Sequence, residues 1–182
     1  GWRGYSAPDV PLPPTGLGDL LESRDGALWV VGAGQEVVRL DYDTLRWTTH
    51  QGLRFQCETA DGSLWFVARA DGLVVRHDPS AQTWRAFGVG DGLMDSPRGL
   101  IVTRRGQVWA AGGHDSTAAT ALLDGEEWRL RMHPRLSWQI DGRAIYESSD
   151  GAVWFGAAAN SDPGRGQFGG VVRFGPPRGT SG

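Results

Sequence analysis

Four times along this chain the same short phrase returns. It reads Asp25-Gly26-Ala27-Leu28-Trp29, Asp61-Gly62-Ser63-Leu64-Trp65, Arg105-Gly106-Gln107-Val108-Trp109 and Asp150-Gly151-Ala152-Val153-Trp154. The tryptophans stand 36, 44 and 45 residues apart, enough chain for a unit of several short strands. An Asp-Gly pair signals a two-residue hairpin turn, because glycine reaches positive φ without steric cost. The residues that follow, such as Trp29-Val30-Val31 and Trp65-Phe66-Val67, are apolar without alternation. A strand of that kind is covered on both faces.

Each unit carries further strand signals in the same order. Residues 20–23, 55–59, 100–103 and 144–148 predict a strand a before the turn, and the tryptophan run is strand b. Val37–Leu40, Leu73–Arg76, Ala121–Leu123 and Val171–Phe174 predict strand c. Trp47, Trp84 and Trp128, lying 18, 19 and 19 residues beyond the strand-b tryptophans, mark strand d. A lone sheet with two apolar faces cannot bury both, whereas sheets stacked around an axis cover one another. The predicted fold is all-β, a β-propeller of four four-stranded antiparallel blades over residues 1–177, with a disordered tail at 178–182. The blades fall at about 18–49, 53–88, 98–132 and 143–175.

The last unit lacks a strand d of its own, since Phe174 is followed by Gly175-Pro176-Pro177 and proline cannot donate to a ladder. The N-terminal Trp2-Arg3-Gly4-Tyr5 resembles Trp84-Arg85-Ala86-Phe87. The expectation is that this first strand completes the last blade, with Trp2 and Tyr5 closing the ring. Two alternatives stand beside it: a segment of a larger propeller, and two chains exchanging strands into eight blades. Eight of the 9 tryptophans then occupy equivalent scaffold positions, and Trp138 is left over.

Composition narrows the function classes. Formal net charge is −3, so no basic surface for nucleic acid is advertised. All 18 basic residues are arginine, which removes lysine Schiff-base chemistry. Cys57 is alone and forms no intrachain disulfide. No apolar run reaches the length of a membrane-crossing helix.

The repeated Asp-Gly-x-Leu-Trp core, the strand Gly72-Leu73-Val74-Val75-Arg76-His77-Asp78 and the linker Gly90-Asp91-Gly92-Leu93-Met94-Asp95-Ser96-Pro97 together resemble the two-component regulator propeller repeat. His50-Gln51-Gly52-Leu53 is a second copy of that linker. The resemblance covers nearly the whole chain. It implies a propeller from a sensor domain of a hybrid histidine kinase or related receptor, a periplasmic or extracellular setting, and a glycan among the ligands to expect. The Asp-Gly-x-Leu-Trp-Phe segment also resembles that of streptogramin B lyases, which are seven-bladed enzymes using a histidine and magnesium. No motif places that histidine here.

Candidate ligand contacts come from loops that differ between units, because repeated positions serve the scaffold. These are His114 and Asp115 in the b–c loop 112–117, and Asn160, Asp162 and Arg165 in the b–c loop of the last unit. The d–a linkers add Asp91 and Asp95, then Trp138 and Asp141. Trp138 is out of phase with the scaffold series and sits in a polar loop, which suits stacking on a sugar or apolar ligand; capping of the core under that loop is the alternative. His77 falls in a c–d turn and reads as surface. His50, His77 and His133 show no metal-ligand spacing, and Asp41-Tyr42-Asp43 lacks the glycine and glutamate of a calcium loop. No catalytic residue, metal set or cofactor is implied. The expected function is a non-catalytic ligand-binding or sensing module whose ligand is a carbohydrate or peptide. A protein-interaction or assembly scaffold, including self-association through an exchanged strand, and a lyase-like enzyme are the alternatives.

Overall fold

The structure is a computed structural model, and it describes residues 4–6, 10–14, 16–159 and 169–175. Trp2 and the loop residues Asn160, Asp162 and Arg165 lie outside the described residues. The first sheet contains β1 (Leu17–Glu22), β2 (Leu28–Gly32), β3 (Glu36–Asp41) and β4 (Arg46–Gln51). The second contains β5 (Arg54–Glu58), β6 (Leu64–Ala68), β7 (Leu73–Asp78) and β8 (Thr83–Phe87). In the third are β9 (Ser96–Val102), β10 (Val108–His114), β11 (Thr117–Asp124) and β12 (Glu127–Met132). The fourth has three strands among the described residues, β13 (Ile140–Glu147), β14 (Val153–Ala157) and β15 (Gly170–Phe174). Strands in each sheet follow chain order and pair antiparallel. The chain divides into two compact units, Gly1–Ala86 and Phe87–Gly182.

The repeated turn is longer than the two residues expected. Gly26 N–H donates to the Ser23 carbonyl at 2.8 Å, and Ser23 N–H to the Ala27 carbonyl at 3.0 Å. The loop is therefore three residues closed by a glycine in the left-handed region, with φ of 78° at Gly26 and 88° at Gly62. The hydroxyl before it anchors the strand-b tryptophan. Trp29 Nε1 donates to Ser23 Oγ at 2.9 Å, Trp65 Nε1 to Thr59 Oγ1 at 3.3 Å, and Trp154 Nε1 to Ser148 Oγ at 3.2 Å. Each hydroxyl in turn donates to the turn aspartate, Asp25, Asp61 or Asp150. Register sets Arg39 opposite Trp29, Arg76 opposite Trp65 and Arg173 opposite Trp154. Those guanidinium carbons sit 5.7–6.0 Å from the ring centroids, and Arg39 and Arg173 pair with Asp25 and Asp150 at 2.8 and 3.2 Å. The third repeat breaks the pattern consistently. Arg105 replaces the aspartate, Leu122 stands opposite Trp109, and Trp109 Nε1 is buried without a hydrogen-bond partner among the described residues.

Packing between sheets follows one rule in both units. The Trp29 side of the first sheet meets Leu64 and Phe66 of the second. The Trp109 side of the third meets Val153 and Phe155 of the fourth. The continuous apolar runs explain this, and β6 is buried at every residue. Gly99 on β9 and Gly142 on β13 let two backbones touch, since a Cβ on Gly99 would meet the Gly142 carbonyl oxygen at 2.5 Å.

Two readings of single residues change. His77 is not on the surface: it is 2% exposed and aligns with the buried Leu40 of the first sheet. Trp84, assigned to the scaffold, is 39% exposed, the same as Trp138. At the N-terminus, Gly4–Ser6 are not in a strand, and Tyr5 lies edge-on to Trp47 with centroids 5.7 Å apart.

Candidate functional site

At one end of the third sheet β10 and β11 extend further than the sequence suggests. The expected six-residue loop 112–117 is two strand ends and a two-residue turn, with His114 paired to Thr117. Asp115 and Ser116 take φ of 46° and 57°, the signature of a type I′ hairpin. Gly112 and Gly113 belong to the strand because neighbouring backbone leaves no room for a side chain; a Cβ on Gly113 would meet the Trp138 carbonyl at 2.8 Å.

That turn brings together three residues the sequence placed in two different loops. Asp115 N–H donates to Asp95 Oδ2 at 3.0 Å, and Asp95 N–H donates to His114 Nδ1 at 3.2 Å. His114 Nδ1 is 3.5 Å from Asp95 Oδ2, and Nε2 is 3.7 Å from Asp115 Oδ2. One donor atom from each residue lies within 4.8 Å of the others. Because Nδ1 accepts the Asp95 N–H, the neutral ring carries its proton on Nε2, facing Asp115. The group thereby braces the hairpin tip while leaving carboxylate oxygens open to solvent, Asp115 above all at 84% side-chain exposure.

Trp138 lies at the same end, on a loop fixed from below. Ala118 N–H donates to the Ser137 carbonyl at 2.9 Å, and the fully buried Ser137 hydroxyl donates to the Ala158 carbonyl. His133 opens the loop, with Nε2 2.9 Å from Thr120 Oγ1. Burial, reinforced by Arg131, keeps its imidazole below the ordinary histidine pKa. The anchors hold Ser137 under the sheet end, and Trp138 beside it is 39% exposed.

Other candidates have structural partners. Asp91 Oδ2 accepts the Gly88 N–H at 2.9 Å and closes a short 3-10 turn at Val89–Asp91. Asp141 is held by its neighbour Arg143, at 3.1 and 2.9 Å to the two carboxylate oxygens. Asp41 accepts the N–H groups of Asp43 and Thr44, each at 3.0 Å, which is turn chemistry.

Cavities occur elsewhere. One of about 380 Å³ is lined by Tyr5, Val10, Leu40, Leu45 and Trp47, and one of about 470 Å³ by Gln107, Leu122, Leu123 and Arg129. Neither is lined by Trp138 or by the Asp95–His114–Asp115 group. The sequence also missed an aromatic cluster of Trp29, His50, Phe66, His77 and Trp84 between the first two sheets. The signal was present: His77 occupies the inward strand-c position that is Leu40 in the first repeat.

No family model and no curated protein matches the chain. Solved structures do. The extracellular domain of the hybrid two component system BT3049 from B. thetaiotaomicron is similar at TM-score 0.61 and 13% identity, covering 86% of this chain and 22% of that one. The extracellular domain of the one component system BT4673 from the same organism gives 0.60 and 12%, covering 85% and 21%. A catalytically inactive virginiamycin B lyase from Staphylococcus aureus, solved with quinupristin, gives 0.59 and 18%, covering 95% and 60%. The chain thus spans about a fifth of the two extracellular domains and three fifths of the lyase. At these identities the likeness concerns the fold, which is all-β with propeller-like neighbours. No helix among the described residues is long and apolar enough to cross a membrane.

Proposed function

We propose that this chain is a non-catalytic ligand-binding module of a sensor, taking a carbohydrate or peptide at the Trp138 end of the third sheet. The observation that carries the reading is that one end of the third sheet holds both Trp138, 39% exposed on an anchored loop, and the carboxylates of Asp95 and Asp115. An aromatic face stacks on a sugar ring, and flanking polar groups fix its orientation. Asn160, Asp162 and Arg165 belong to this proposal by sequence position. The similarity to extracellular domains of signalling systems supports a periplasmic or extracellular setting.

A glycan and peptide array followed by calorimetry of any hit tests it. Trp138→Ala weakens binding at least tenfold, about 1.4 kcal/mol, while the melting temperature moves by no more than a degree or two. Unchanged affinity, or collapse of stability, makes Trp138 a core cap instead.

A second reading, docking of another protein, is favoured by the fourth sheet. Tyr146 and Val171 there are 66% and 65% exposed, and apolar surface of that kind suits a partner. Closure of the last sheet by Trp2–Tyr5, from the same chain or a second copy, belongs to this reading. A lyase-like activity is the third, supported by the lyase fold similarity.

A further inference from the structure

We propose that the joint between the first two sheets is acid-operated: protonation of His50 and His77 loosens the packing around Trp84. The geometry of His77 carries the inference. Its Nδ1 lies 3.2 Å from the Thr83 carbonyl oxygen. A carbonyl only accepts, so Nδ1 holds the proton of the neutral ring and Nε2 is left with a lone pair. Nε2 is buried and has no hydrogen-bond partner among the described residues. A second proton would therefore create a buried N–H with nothing to receive it, which is the costly case. Trp84 stacks on this ring at 4.4 Å and 24°, and the Trp29 centroid is 5.5 Å away.

His50 lies in the same cluster. Its ring is stacked on Trp29 at 6.0 Å and 25°, and its centroid is 4.6 Å from that of Trp84. Burial, His77 and Arg39 all disfavour its charged form. For His77 burial dominates, the Thr83 bond and the carboxylates of Asp25 and Asp78 oppose it, and Arg39 adds to it. The Arg39 guanidinium sits over Trp29 at 6.0 Å. Tryptophan faces attract an imidazolium, yet they supply no acceptor for its N–H and do not relieve the repulsion between two histidines and Arg39.

The sign follows. The unfolded chain takes up these protons at about pH 6.5, while the packed chain resists them. Stability from the joint is complete above that pH and is lost as pH falls below it. Each histidine raises the unfolding constant by up to about tenfold per pH unit. Acidic residues respond in a lower window: hydrogen bonds from Ser23, Arg39 and Ala27 outweigh burial and hold Asp25 below the ordinary carboxylate range. The functional consequence is a module whose first unit opens in mild acid and exposes Trp29 and Phe66 beneath Trp84.

The test compares denaturant unfolding of the full chain with the double variant His50→Gln/His77→Asn at about pH 7.5, 6 and 5. The asparagine amide in place of the His77 ring would keep an N–H for the Thr83 carbonyl and has no charge to gain. The wild type is expected to lose about ten- to a hundredfold in folding equilibrium between about pH 6 and 5, with a parallel change in tryptophan fluorescence. The variant is expected to lose only the share due to His133, roughly tenfold at most. Equal losses in both proteins overturn the proposal. If the variant does not fold, proton titration of the wild-type histidine rings decides. Midpoints for His50 and His77 well below about 6.5 support the joint, and ordinary midpoints overturn it.

Discussion

In the first and fourth repeats the scaffold is tied by a four-residue relay: an indole N–H on a serine, that hydroxyl on an aspartate, that aspartate on an arginine, and the arginine back over the indole. Its weight falls on the buried hydroxyl. Ser23 is 3% exposed and receives the Trp29 N–H at 2.9 Å. Ser23→Ala leaves that donor without its acceptor, so a loss of about 1–3 kcal/mol is expected in denaturant unfolding. Thr103→Ala in the third repeat should cost less, because it frees only the N–H of the exposed Gln107, 3.1 Å from the hydroxyl, and Trp109 Nε1 has no partner to lose among the described residues; equal costs would remove the relay as the cause. The ingredients were legible, since arginine recurs on strand c and Asp-Gly before strand b. Their use was not, because it depends on the register that sets Arg39 opposite Trp29. His77 misled for a related reason: a polar residue two places before a proline reads as turn, yet the strand-c position it fills is the buried one.

Between elements, the controlling distances are backbone to backbone. The strand order and the hairpin links were readable from the repeat, whereas Gly112-Gly113-His114 imitated a flexible loop. Composition cannot tell a glycine that bends from one that makes room. Gly142 makes room: a Cβ there would overlap the Arg98 carbonyl, and Gly99 faces it from β9. Neither backbone can move without disturbing its own sheet, so Gly142→Ala is expected to lower stability by about 1–3 kcal/mol. Gly90 has nothing within 4 Å of its Cβ position and an ordinary φ, so Gly90→Ala should stay within about 0.5 kcal/mol. Melting curves of the two single variants check this, and a harmless Gly142→Ala would mean that β9 and β13 are not held in contact.

For the molecule as a whole, the repeat predicted four sheets in chain order, and the similar solved structures share that all-β fold, but a repeat is silent about its own ends. On the fourth sheet Val171 is 65% and Phe174 43% exposed, where their first-sheet counterparts Val37 and Leu40 are 0% and 1%. Part of that difference is the covering that a strand d supplies, since Trp47 pairs with Leu40. The N-terminal segment does something else at the residues that are described. Tyr5 packs on Trp47, and Val10 is 7% exposed beside Leu40, so this stretch covers the first sheet. The two roles separate by substitution. If Trp2 completes the last sheet, Trp2→Ala should cost about 3–5 kcal/mol, as for any buried scaffold tryptophan, with new hydrogen exchange along β15. If Tyr5 and Val10 act only as a cover, Trp2→Ala should be nearly silent, while Tyr5→Ala loses about 0.5–1.5 kcal/mol of ring contact. A strand supplied by a second copy would make the Trp2 effect depend on protein concentration, because folding and association are then one equilibrium.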